Sequence, residues 1–245
     1  MSQSVGASPV QFGFVAALER EVAGLVRGWS VADARIGNRP GRIYYSGCAA
    51  LICAGTGVER GYAAAKELVE KFSPRVIISI GFAGSCAAEL APGTIVVPAT
   101  LEEASTRKLF HCLFGSGKVV TLDRVAGKAM KQEAALQFGA LAVDMEGAGV
   151  ASAAEEFARE FSAIKVISDG ADEDLGFLAD FVKADGFETG RFVAHIALRP
   201  YLWPAVAALQ RNSKLASAAL ESAVAECLSD WRGFTAKYSS AAQLR

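Results

Sequence analysis

The chain has 245 residues, 52% of them hydrophobic, with 24 glycines and a formal net charge of −1. That length suits one α/β domain or two small ones, with apolar residue enough for a sizeable core. The near-neutral balance excludes the electrostatic footprint of a nucleic-acid binder, and no run of roughly 18 apolar residues offers a membrane span.

In chain order, the polar residues 1–11 read as a frayed terminus without a signal peptide. An apolar run over 12–17 predicts a buried strand, and 19–28 a helix with Val22, Leu25 and Val26 on one face. A turn cluster at 37–41 leads to a hairpin of 42–46 and 49–54 joined at Gly47. Gly55-Thr56-Gly57 opens a helix over 58–72, stopped by Pro74. Residues 76–80 are the most strand-like segment and run into a glycine loop, Gly81-Phe82-Ala83-Gly84. Strands are predicted at 94–98 and 119–122, a helix at 127–138, a strand at 141–143, an Ala-rich helix over 147–161, and a last strand at 164–168. Past residue 175 the spacing is helical: 177–184, 189–198, 201–210 and 213–228.

Strands alternating with helices predict an α/β layered fold, and the hairpin makes its central sheet mixed. The expected division is a frayed 1–11, an α/β core over 12–175, and a helical extension over 176–245 packing on the same domain. The five cysteines form no C-x-x-C pair and are odd in number, so they read as small buried hydrophobes in a reducing, cytoplasmic setting. His111 and His195 lie far apart without ligand-spaced partners, which argues against zinc.

Two acidic clusters end apolar runs: Asp144-Met145-Glu146, and Asp169 after Ser168. Strand ends in open α/β sheets are where ligands bind, and carboxylates there bind hydroxyls or move protons. The bland alternatives are helix caps or turn formers for Asp144 and Asp169, a surface Glu146, and a first-turn helix acid for Glu21. Gly55-Thr56-Gly57-Val58-Glu59-Arg60-Gly61 approaches a dinucleotide fingerprint, but its third glycine comes one residue late, which disfavours an NAD-dependent oxidoreductase. A turn whose N–H groups face an anion or a sugar fits better, with Gly57 and Arg60 as anion-binding candidates; a tight turn beside a solvated Arg60 is the plain alternative.

Six segments stand in one order: Ala17-Leu18-Glu19-Arg20-Glu21-Val22, Gly55-Thr56-Gly57, Ile80-Gly81-Phe82-Ala83-Gly84, Pro92-Gly93-Thr94-Ile95-Val96-Val97, Val143-Asp144-Met145-Glu146 and Ile167-Ser168-Asp169. Over residues 12–175 the chain resembles the nucleoside phosphorylase and nucleosidase superfamily, and within it the methylthioadenosine/S-adenosylhomocysteine nucleosidases. The resemblance implies a mixed sheet flanked by helices, assembled as a homodimer or larger oligomer, that splits N-glycosidic bonds of purine nucleosides without metal or organic cofactor. It implies that Asp169 protonates or hydrogen-bonds purine N7, which calls for a carboxyl raised by burial. It assigns Glu146 to the ribose hydroxyls, Met145 to packing on the sugar, Glu21 to the attacking water and Ser168 to positioning Asp169. Ala83 and Gly84 match the loop beside the sugar, and Val125 a backbone segment bracketing the base. Asp144 stands where nucleosidases commonly carry Glu.

The chain departs from that pattern in three places. Ser79 and Ile80 stand where one phosphorylase branch has Arg, which favours water over phosphate as the nucleophile. About twenty residues separate Pro98 from Val119, a stretch longer in methylthioadenosine nucleosidases, where it covers the 5′ side; a more open pocket is expected. The C-terminal segments Asp185-Gly186, Leu198-Arg199-Pro200-Tyr201-Leu202 and 209–220 resemble hopanoid-associated phosphorylase-like proteins, linked to removal of adenine from an adenosyl-hopanoid. Phe177, Phe181, Phe187, Phe192, Tyr201, Leu202 and Trp203 then read either as ordinary packing or an oligomer interface, or as an apolar groove or peripheral membrane contact for a lipid-tailed substrate. The leading expectation is release of adenine from a 5′-substituted adenosine by water. The alternatives are phosphorolysis, with phosphate as co-substrate, and a nucleoside-binding module without turnover.

Overall fold

The computed structural model describes residues 10–183, 186–187, 191, 199 and 203–239. Strand β1 (Phe12–Ala16) lies between β4 (Ala49–Cys53) and β5 (Val76–Ser85), parallel to both. Its side chains alternate across the sheet. Phe12, Phe14 and Ala16 face one layer, and Val15 the other. The hairpin is longer than the sequence suggested. β2 (Ser30–Ile36), which carries little apolar periodicity because most of it is exposed, pairs with β3 (Arg39–Ser46) before β3 pairs with β4.

Strand β5 continues through Gly81-Phe82-Ala83-Gly84, where a loop was expected, because β11 (Glu160–Asp169) runs parallel along its whole length and ties it down. On its other edge β5 changes neighbour. It pairs with β1 over Val76 to Ser79, then with the antiparallel β10 (Ala142–Asp144) at Gly84 and Ser85. The sheet therefore forks between β1 and β10. β6 (Ile95–Val96) pairs with β11. β9 (Lys118–Thr121) continues the sheet beyond β10, followed by β7 (Thr100–Glu103) and β8 (Leu109–His111). β7 and β8 escape sequence reading because they are short, and β7 is charged as well; its Glu102 is buried by pairing with Lys118 Nζ at 2.7 Å and Arg107 Nε at 3.0 Å.

Helices cover both faces. α2 (Val58–Phe72) and α4 (Gly147–Glu156) pack on the Val15 face, their backbones meeting where Gly149 has no side chain; a Cβ there would strike the Val58 carbonyl. α4 is shorter than the helix expected over 147–161: Ala158 at φ 49° ends the turn, and the chain re-enters the sheet as β11. α1 (Glu19–Val22) is also shorter than expected, because Gly24 and the left-handed Gly28 (φ 82°) break the helical run and Gly24 N–H is taken by Glu221 Oε1 at 2.9 Å. α3 (Lys128–Phe138) follows β9.

The segment after 175 is not wholly helical. Gly176–Asp180 is one 3-10 turn, and Val182–Lys183 pairs with Gly186–Phe187 as a small hairpin, which replaces the helix expected over 177–184. The helices expected at 189–198 and at 201–202 fall outside the described residues, apart from Arg191. α5 (Trp203–Ser229) runs unbroken through 211–212, where a division was expected, and Pro204 is tolerated in its first turn. Ala216, Leu220, Ala223, Val224 and Cys227 of α5, with Phe234 and Tyr238 of α6 (Trp231–Ser239), bury the face made by Phe12, Phe14, Ile78, Ile164 and Val166. Each large apolar side chain so buried contributes about 1.5–3 kcal/mol. Of the five cysteines only Cys227 is fully buried; the other four are half-buried, and all are free thiols.

Candidate active site

The fork in the sheet is a cavity. Glu21, Glu146 and Asp169 line it, together with Met145, Ser168, Ala83, Gly84 and Val125. Three strand ends deliver the acids. The chain leaves β1 into α1, whose third residue Glu21 turns back so that Leu18 N–H meets its Oε2 at 3.4 Å. Gly81, at φ 141°, stands opposite; a Cβ there would lie 2.9 Å from Glu21 Oε2, so only glycine fits both the backbone and the carboxyl. β10 runs against β5 and carries Asp144-Met145-Glu146 back into the fork. In β11 the register with β5 shifts between Ile167 and Asp169. This bulge at Ser168 re-aims the next side chain, which brings Asp169 to the cavity.

The acids differ in their surroundings. Glu21 is 3% exposed, and burial pushes its carboxyl up to about 7, against the opposing pull of Leu18 N–H and Lys165. Glu146 is pushed up to about 8, first by burial and then by the negative charge of Asp144, with Lys165 opposing. Its Oε1 accepts Gly57 N–H at 3.1 Å. Asp169 Oδ1 accepts the Ser168 hydroxyl at 2.7 Å, and its Oδ2 forms an ion pair with Lys131. The sequence reading expected burial alone to set the state of Asp169; it did not foresee the ammonium held against this carboxylate.

Two further residues were missed. Lys165, 1% exposed, reaches from β11 to Asp144 Oδ2 at 2.6 Å and donates to Ser79 Oγ at 2.8 Å. Thr121 donates to Asp144 Oδ1 at 2.6 Å, and Gly147 N–H to Oδ2 at 2.9 Å. Asp144 thus braces the turn that presents Met145 and Glu146. The available signal was a lone lysine in an apolar strand, Ile164-Lys165-Val166, and another, Lys131, at a core-facing helical position: a buried lysine needs a partner.

The anion-binding expectation fares differently. Gly57 and Arg60 lie outside the lining of this cavity, in neighbouring clefts, and the Gly57 N–H is spent on Glu146. Apolar side chains also line the cavity: Leu175 and Leu178 at the 3-10 turn, Leu209 from α5 and Phe82 from β5. Of the aromatic residues singled out in this region, Phe181 is buried, Phe177 half-buried and Trp203 56% exposed; the side chain of Phe187, and Phe192, Tyr201 and Leu202, lie outside the described residues. Among the described residues no group of three or more His, Cys, Asp or Glu could hold a metal ion, and no described helix is long and apolar enough to cross a membrane.

A family model described as the phosphorylase superfamily matches residues 11–115 and 110–198. No curated protein sequence matches the chain. Solved structures do. A 5′-methylthioadenosine nucleosidase of Arabidopsis thaliana superposes with a TM-score of 0.67 at 17% identity, covering 92% of this chain and 98% of its own. A 5′-methylthioadenosine/S-adenosylhomocysteine nucleosidase of Colwellia psychrerythraea, solved with adenine, gives 0.59 at 20% identity, covering 68% and 86%. A futalosine hydrolase mutant of Helicobacter pylori gives 0.58 at 18% identity, covering 71% and 94%.

Proposed function

This chain belongs to the phosphorylase superfamily, and on that premise we propose that it is an enzyme cleaving the N-glycosidic bond of a purine nucleoside. The observation that carries the reading is the convergence of three acids, Glu21, Glu146 and Asp169, on one cavity at the fork of the sheet. The nucleosidases it resembles in fold supply the substrate class. Such cleavage passes through an oxocarbenium-like sugar and needs help at three places: the leaving base, the sugar and the nucleophile.

Asp169, held by Ser168 and Lys131, faces the base and directs a proton to its N7. Glu146 takes the ribose hydroxyls, and its charge stabilises the cationic sugar. Met145 packs on the sugar ring, while Ala83 and Gly84 let the β5 backbone approach it and Val125 brackets the base. Glu21, with a carboxyl near 7, is matched to removing a proton from water at neutral pH. Water is favoured over phosphate because Glu21 and Glu146 repel each other and would both repel a phosphate dianion.

The apolar lining from Leu175, Leu178, Leu209 and Phe82 supports adenine release from an adenosine with a hydrophobic 5′ group, of which an adenosyl-hopanoid-like lipid is the extreme case. The test is a series of 5′-alkylthio adenosines of rising chain length, with and without phosphate, followed by free adenine. The expected result is phosphate-independent release with kcat/KM rising with chain length, abolished by Asp169→Asn. Dependence on phosphate with ribose 1-phosphate as product would overturn water attack; binding without release would leave a nucleoside-binding module.

A further inference from the structure

Lys131 is 1% exposed on α3, yet it belongs to the cavity wall rather than to the core. Its ammonium is fully committed. It donates to the carbonyl oxygens of Gly170 and Glu173, each at 2.9 Å, and forms the ion pair with Asp169 Oδ2. Three N–H donors meet three acceptors, which is the whole capacity of a lysine. Gly84 makes room for it: a Cβ there would sit 3.1 Å from both Lys131 Cε and Asp169 Oδ2.

A buried ion pair contributes little net stability over an apolar pair of equal volume, so packing alone gives no reason for a charged pair at this place. Its position does. The pair stands where the proposed reaction must protonate a leaving base, and lysine, unlike arginine, can give up its proton in a desolvated site.

We infer that Lys131 is the proton reservoir behind Asp169, supplying through that carboxylate the proton a purine takes up as its glycosidic bond breaks. The inference rests on the nucleosidase reading above. Lys131 acts through Asp169 and is a positioning and supplying residue. In the step, a proton passes from Nζ to Asp169 Oδ2, and Asp169 delivers a proton to N7. The C1′–N9 bond breaks and its electron pair stays on the base, which departs neutral as the N7–H form. Water adds hydroxyl to C1′ and yields its proton to Glu21. Lys131 is left a neutral amine, and exchange with solvent after product release resets both groups.

The test compares two leaving groups in the full-length protein: a purine nucleoside, which must be protonated to leave, and 4-nitrophenyl riboside, which leaves as an anion. Lys131→Met is expected to lower kcat on the purine nucleoside by about 100-fold or more, the scale of general-acid catalysis, and to lower nitrophenyl release far less. Lys131→Arg should share the selective loss, since a guanidinium keeps its proton. Nitrophenyl release by each variant reports that it is folded. Equal losses on both substrates, or purine cleavage at the wild-type rate in Lys131→Arg, overturn the reservoir and leave a packing or charge role. Wild-type protein inactive on both substrates overturns the nucleosidase reading itself, and the reservoir with it.

Discussion

Glu21 and Glu146 show what a single carboxyl gains from its surroundings. Each loses water to the fork of the sheet, and Lys165, the cation that opposes this at both, is tied to Asp144. Both roles proposed for them need the ionised form, and kcat/KM reports ionisations of the free protein. The rate should therefore climb with pH through the 7–8 window set by these two groups. Below it the slope of log kcat/KM should approach two. Glu21→Gln should leave a slope of one, move the remaining ionisation to lower pH by removing a like charge, and lower kcat by about 100-fold. An unchanged slope would assign the limb to other groups. Asp144 makes the contrasting case: equally buried, it is satisfied by Thr121, Gly147 and Lys165, and has a bracing task.

At the scale of elements, the site depends on two departures from regularity, the bulge at Ser168 and the change of neighbour along β5. α4 locks the second in place, because Gly149 lets it touch α2 while its first turn follows Glu146. Gly149→Val should destabilise the protein by about 3 kcal/mol, read from urea unfolding, since the obstruction is backbone on the facing helix. The displaced α4 should also lower kcat/KM through Glu146. A variant as stable as wild type would show that the helices can part without cost.

The same elements explain what the sequence could tell. β1, α2 and the acid-bearing strand ends were legible because apolar period and glycine punctuation agree there. Glu21, Glu146 and Asp169 were legible through the order of six motifs rather than through any one. β2, β7 and β8 were not: β2 is largely exposed, and β7 and β8 are too short to show an apolar alternation. Nor was the extension of β5 through Gly81 to Gly84, where a glycine-rich stretch reads as loop and only pairing with β11 makes it strand. Lys131 and Lys165 stand at apolar positions that mark them as buried, but their partners were not legible; what pairs them with Asp169 and Asp144 is contact between elements far apart in the chain.

Across the whole molecule, the buried acids set a cost on folding that depends on pH. From 4.5, the ordinary value, to about 7 for Glu21 and about 8 for Glu146, the folded chain keeps protons that the unfolded chain releases. The unfolded state then binds fewer protons, so stability falls as pH rises across that window and levels off above it. For Glu21 the shift corresponds to about 3 kcal/mol. Melting temperature between pH 5 and 9 should decline more steeply in wild type than in Glu21→Gln; parallel curves would contradict a raised carboxyl.

α5 adds a constraint of timing. Phe12, Phe14 and Ile78 belong to early strands, but the layer that covers them comes from residues 216–227 of α5 and from Phe234 and Tyr238 of α6, and α5 also gives Leu209 to the cavity and Asn212 to Glu173 Oε1 at 3.3 Å. Glu173 is in turn one of the carbonyls that holds Lys131. On the ribosome, therefore, a nascent chain that has already made all three of its acids still has an apolar sheet face open to water and no closed fork in which to desolvate them. It gains buried carboxyls, and the chemistry that depends on them, only as α5 and α6 emerge.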